Sequence, residues 1–146
     1  MIAFDTNVLV YSFEVGEKAE VARRLVETGT SSGALLPLQV IGEFVNACRR
    51  KVTVPYEKLP TVTERLLHGF RVVSTKPYHV VDALVRAERF GLQYFDALIV
   101  TVARDAGATI LLSEDMQDGI DLDGLVVLNP FSPTNAHKIE AAWPRA

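Results

Sequence analysis

Cysteine is nearly absent from this chain. Cys48 stands alone, so no internal disulfide can form. It falls in an apolar helical stripe, where a reduced core thiol is the expected state. Histidine is also scarce. His68, His79 and His137 are scattered and share no metal-ligand spacing with the cysteine, which argues against zinc. Each is read as a structural or exposed residue. Long apolar runs are missing, since none approaches the roughly 20 residues that span a bilayer. No basic region precedes the apolar start, so no signal peptide is expected. A location in the cytoplasm, away from membranes, follows as an expectation. Positive charge is not in excess either: 15 Lys and Arg face 18 Asp and Glu, a net charge of −3. Any attraction for nucleic acid must then come from a local basic patch or a bound metal. The phosphate-loop pattern GxxxxGK[ST] is absent.

What is present is an ordinary globular composition, 49% hydrophobic and 23% charged, in a length of 146 residues that suits one domain. Short apolar segments alternate with helical patterns. Strands are expected at the N-terminus and near residues 34–37, 71–74, 109–113 and 125–128. Between them, residues 17–27 read as an amphipathic helix that Gly29 is placed to stop, and residues 39–51 as a helix ending in Arg49, Arg50 and Lys51. A helix or helix pair is expected over residues 53–70. Another helix spans 78–90, and a nearly all-apolar one starts near Phe95. This alternation predicts an α/β fold with helices on both faces of a mainly parallel sheet of four to five strands. Residues 1–131 form the domain, and the polar, proline-containing residues 132–146 read as a loose tail.

Four acids recur at one kind of position. Asp5 ends the first strand, and Asp115 follows the fourth. Glu43 lies on the helix after the second strand, and Asp96 opens the buried helix before the fourth. In a parallel sheet these places belong to the same edge, where open α/β folds bind ligands. Each acid alone has an ordinary explanation as a helix cap, a turn former or a solvated helix residue. Together they would repel one another and raise some pKa values unless a hard cation joined them. An all-oxygen set suits Mg²⁺ or Mn²⁺. Asn7, two residues after Asp5, stands where a phosphoaspartyl phosphatase would need a second Asp.

Several ordered blocks then make the chain resemble the PIN-domain family, and within it the VapC-type toxins of toxin–antitoxin pairs. They are Phe4-Asp5-Thr6-Asn7-Val8-Leu9-Val10-Tyr11, Glu43-Phe44, Tyr94-Phe95-Asp96-Ala97-Leu98-Ile99 and Leu112-Ser113-Glu114-Asp115-Met116-Gln117-Asp118-Gly119. The ending Val127-Leu128-Asn129-Pro130-Phe131 fits as well. The resemblance implies a three-layer α/β/α domain and a Mg²⁺- or Mn²⁺-dependent endoribonuclease. Asp5, Glu43, Asp96 and Asp115 match the family's acidic quartet, as catalytic residues and metal ligands. Asn7 and Ser113 match supporting polar residues, and Asp118 is a possible fifth acid with a turn-forming role as the alternative. In-line attack on RNA by a metal-activated water, leaving a 5′-phosphate, is the implied reaction. A homodimer is also implied, together with inhibition by a small VapB-like antitoxin seated in an apolar groove.

For that groove, Val8, Leu9, Tyr11, Leu25 and Val26 are candidates, with core packing as the alternative. Arg49, Arg50, Arg86 and Arg89 are candidates for target choice, with ordinary surface charge as theirs. Trp143 is expected to dock on the domain. A non-catalytic RNA-binding module, or a nuclease of DNA or RNA maturation without an antitoxin, is the competing reading; an intact quartet weighs against the first of these.

Overall fold

A computed structural model describes residues 1–145. The strands are β1 (Ile2–Phe4), β2 (Leu35–Pro37), β3 (Arg71–Val73), β4 (Ile110–Leu112), β5 (Asp121–Leu122) and β6 (Leu125–Leu128). The helices are α1 (Thr6–Tyr11), α2 (Glu17–Ser32), α3 (Leu38–Lys51), α4 (Leu59–Gly69), α5 (Pro77–Phe90), α6 (Tyr94–Asp105) and α7 (Ala136–Ala142).

The sheet has the order β3-β2-β1-β4-β6-β5. All neighbouring pairs are parallel except β5 with β6. β1 is central: Ala3 is in register with Leu35 on one side and Leu111 on the other. Its three residues are all buried, as befits a strand covered on both faces. From β1 the chain builds outward through β2 to β3, then returns to lay β4 on β1's free side. The crevice between the carboxyl ends of β1 and β4 is therefore the topological switch point.

Helices α1 to α4 pack on one another, and α5 packs on α6. Ile99, Val100 and Ala103 turn one side of α6 into the main core. Ala97, Leu98 and Val102 turn another toward Ala83 of α5. The apolar girth of α6 seen in the sequence thus has two partners. Cys48 is buried, and burial raises its thiol pKa, in keeping with an inert core residue.

Three expectations need correction. The sheet gains one strand, because Asp121–Leu122 pairs antiparallel with Leu125–Leu128. Asp123 and Gly124 make the turn with φ of 57° and 95°, the Asp-Gly signature of a tight hairpin. The second helix does not stop at Gly29 but runs on to Ser32, with Gly33 at φ 69° ending it. Gly29 serves contact instead: a Cβ there would stand 2.8 Å from the Phe4 ring and 2.9 Å from the Phe70 ring. Residues 136–143 are not a loose tail. Residues Ala136–Ala142 are helical, Ile139 is buried, and Trp143 lies 6.3 Å from the Phe4 ring centroid, docked as expected.

Gly29→Ala is a test of that close approach. Alanine favours helix by up to about 1 kcal/mol, but overpacking two buried rings costs about 1–3 kcal/mol. A net loss of about 1–2 kcal/mol in denaturant unfolding is expected; an unchanged or raised midpoint would show that the rings yield freely.

Candidate active site

Asp5 follows β1 directly and stands as the N-cap of α1, accepting the Thr6 amide at 2.7 Å. Its other carboxylate oxygen accepts from the Ser113 hydroxyl at 2.7 Å. Ser113 follows β4, is fully buried, and its oxygen in turn accepts the Asp115 amide at 3.2 Å. One hydroxyl thereby links the first acid to the segment carrying the fourth. Asn7 completes the link from α1. Its side-chain amide donates to Asp115 at 3.0 Å, and its oxygen accepts the Glu114 amide at 3.3 Å.

Glu43 projects from α3 and Asp96 from the first turn of α6. Gln39, one turn before Glu43, joins these helices. Its Nε2 donates to Glu43 at 2.8 Å and to the Phe95 carbonyl at 3.1 Å.

The acids sense one another. Asp5 is only 4% exposed, and burial is the main force pushing its pKa up to about 6. Asp96 and Glu43 push the same way, against the bonds from Ser113 and Thr6. Glu43 is raised by burial and by Asp96 and Asp115, with Gln39 opposing. Asp96 is raised by burial and by Asp115. Four segments distant in sequence thus place their carboxyls in one electrostatic neighbourhood.

Among the described residues, no three His, Cys, Asp or Glu side chains stand close enough to enclose a metal ion. The donor chemistry nonetheless fits a hard cation. Every donor is oxygen, and burial together with neighbouring carboxylates holds three pKa values above normal. Mg²⁺ typically needs only one or two carboxylates, keeping water in its remaining positions.

Two open grooves meet at Asp115. One, about 490 Å³, runs along α3 past Glu43, Asn46, Arg50 and Lys51. The other, about 550 Å³, lies beside α6 and is lined by Asp96, Gln93, Met116 and Gln117.

Other sequence candidates are placed elsewhere. Asp118 accepts from the Asn129 amide and the Asn135 side chain, both at 2.9 Å, and so ties its loop to the chain's end. It lines neither groove. Arg86 and Arg89 both pair with Asp123, fastening the β5–β6 turn to α5. Arg49 lies over the Tyr56 ring. His79 is buried, with Nδ1 accepting the Lys76 amide and Nε2 facing Asp105 at 2.9 Å, a structural role. Val8 and Leu9 are fully buried core residues and are closed to a groove.

Gln39 was not anticipated. Its spacing of four residues from Glu43 on one helix was the available signal. Gln39→Ala should weaken Mn²⁺ binding, measured by calorimetry, by roughly 10- to 100-fold, the usual cost of losing a ligand's own support. Unchanged affinity would make Gln39 a helix–helix staple only.

The PIN domain family model matches residues 2–117. A chain of a toxin–antitoxin complex from Klebsiella pneumoniae has the same fold, with a TM-score of 0.69 and 17% identity, covering 90% of this chain and 99% of that one. The sarcin–ricin loop cleaving toxin VapC20 of Mycobacterium tuberculosis gives 0.62 and 19%, covering 79% and 92%. FitAcB from Neisseria gonorrhoeae gives 0.62 and 18%, covering 90% and 99%. At these identities the likeness is one of fold. No curated protein matches the sequence.

Proposed function

We propose, from the premise that the chain belongs to the PIN domain family, that it is a metal-dependent endoribonuclease of VapC type, acting in the cytoplasm as a toxin restrained by a small antitoxin. The observation that carries this reading is the convergence of Asp5, Glu43, Asp96 and Asp115 on the switch point of the sheet, where burial first, and neighbouring carboxylates second, raise the pKa values of Asp5, Glu43 and Asp96. Structural relatives described as toxins or toxin–antitoxin assemblies support the partner. Among the described residues, no helix is long and apolar enough to cross a membrane.

The roles follow from the geometry. Asp5, Glu43, Asp96 and Asp115 would hold Mg²⁺ or Mn²⁺. When bound, the cation supplies positive charge against the scissile phosphate and makes a water more acidic. Ser113 fixes Asp5, Asn7 fixes Asp115, and Gln39 fixes Glu43, each by a hydrogen bond that leaves further carboxylate lone pairs free. A carboxylate of raised pKa is suited to take the proton of the attacking water. The open grooves on both sides of Asp115 admit a strand that continues past the cut. Homodimerisation belongs to the same proposal, supported by an outward face of α5 on which Val81, Leu84 and Val85 are more than half exposed.

Cleavage of a mixed pool of structured RNAs, with Mg²⁺ or Mn²⁺ and again with chelator, tests the activity. Cutting that needs the metal supports the nuclease. Binding without cutting, by folded and antitoxin-free protein, would favour a non-catalytic module.

A further inference from the structure

The end of α3 carries three adjacent cations, and the structure separates them. Arg49 lies 5.1 Å from the centroid of the Tyr56 ring and lines a separate, largely apolar hollow with Leu59 and Leu67. Arg50 and Lys51 line the groove that holds Glu43 and Asp115. Both are exposed, and neither forms an ion pair among the described residues. Glu14 shares that groove without pairing to them. The helix dipole accounts equally for a cation at any of these places. It does not account for two unpaired cations on a groove whose other end is acidic.

The groove's partner differs. The arm beside α6 is lined by Gln93, Gln117 and Met116 and has no Lys or Arg among its described lining residues. Of the two grooves, the one along α3 thus carries the Lys and Arg found among the described lining residues.

The helix acts as a ruler. Glu43, Asn46 and Arg50 are spaced to fall on one stripe of α3, and all three line the groove. From Glu43 to Arg50 is two turns, about 10 Å along the axis. Long helical side chains lean back toward the N-terminus, which carries the Arg50 head toward the acids.

We propose that Arg50, with Lys51 beside it, binds a backbone phosphate of the RNA roughly one or two nucleotides from the scissile bond. Asn46 lies between, placed to donate to the intervening backbone. This rests on the ribonuclease reading. It adds that substrate is gripped asymmetrically, along α3, and that a minimum length on that side is required for efficient cutting.

The test uses Arg50→Ala, with Arg49→Ala as control. The control removes the same charge from the same helix end but from the wrong face. On an RNA oligonucleotide that the wild type cuts, Arg50→Ala should raise KM about tenfold with kcat nearly unchanged, as for loss of one charged phosphate contact. Arg49→Ala should change KM less than about twofold, and Arg50→Lys should recover most of the loss. In the Asp96→Asn background, binding of a randomised 20-nucleotide single strand should lose about 0.7 from its log–log salt slope on Arg50→Ala. A dinucleotide spanning the cut is too short to reach Arg50, so both proteins should cut it equally. Equal KM values for the Arg49 and Arg50 variants, or an Arg50 defect that persists on the dinucleotide, would overturn the proposal while leaving the nuclease intact. If the wild type cuts no RNA with metal, the nuclease reading fails first and the phosphate site with it.

Discussion

Asp96→Asn should abolish metal-dependent RNA cleavage, lowering kcat/KM by about 10³-fold or more, with the fold intact. Asp96 stands in the first turn of α6 and makes no side-chain hydrogen bond among the described residues. Asparagine has its shape, so packing is preserved. Burial and Asp115 already disfavour its charge, so a neutral replacement should not destabilise the metal-free protein. What is lost is a negatively charged oxygen that would help hold the cation. Gel-based cleavage beside a thermal melt of the same preparation checks both halves. A folded variant retaining more than a tenth of wild-type activity would remove Asp96 from the site.

The second large effect is on stability in chelator. The Asp5 pKa stands at about 6 in the folded chain, against 3.8 for an ordinary aspartate. The folded state therefore binds this proton more tightly than the unfolded state. Its contribution is fully present below about pH 4, falls as pH rises through about 6, and is gone above that. A rise of this size corresponds to about 3 kcal/mol, an upper figure for the loss between about pH 4 and pH 7.5. Glu43 and Asp96 are raised as well and add to it. Asp105 and Asp123 are lowered instead, Asp105 by His79 and Tyr78 and Asp123 by Arg86 and Arg89 against its burial. Their contributions disappear only as pH falls below about 4, outside this window.

Melts in chelator should thus show stability declining from about pH 4.5 to pH 7.5. Asp5→Asn should flatten much of the decline, and Mn²⁺ should restore wild-type stability at about pH 7.5 by binding the folded state alone. Equal pH profiles for wild type and Asp5→Asn would mean that the Asp5 carboxyl is not strained by its burial and neighbours.

How much of this was legible depended on where each residue sits. Asp5, Ser113 and Asp115 follow short apolar strands, and a parallel sheet sends all such positions to one edge. Asp96 opens a helix too apolar to lie anywhere but inside. Glu43 was less determined, because helical periodicity leaves it beside the core stripe; its place became clear only through Gln39 and the α6 terminus. Gln39 itself reads in sequence as an ordinary polar residue at a helix start. Gly29 misled because glycine both ends helices and permits close packing, and the rings of Phe4 and Phe70 come from elements far from it in sequence. At the chain's end, a polar composition concealed that Ile139 is buried and that Trp143 stands beside the Phe4 ring, docking α7 on the domain. The short β5 escaped notice because two residues carry no periodicity, although Asp123-Gly124 marked the turn.

Whether the four carboxylates make one metal site is decided by anomalous diffraction at the manganese edge, from crystals grown with Mn²⁺. A peak bounded by Asp5, Glu43, Asp96 and Asp115, and lost in Asp96→Asn, is the expected outcome. Active crystals with no peak there, or with the peak on other residues, would refute the shared site.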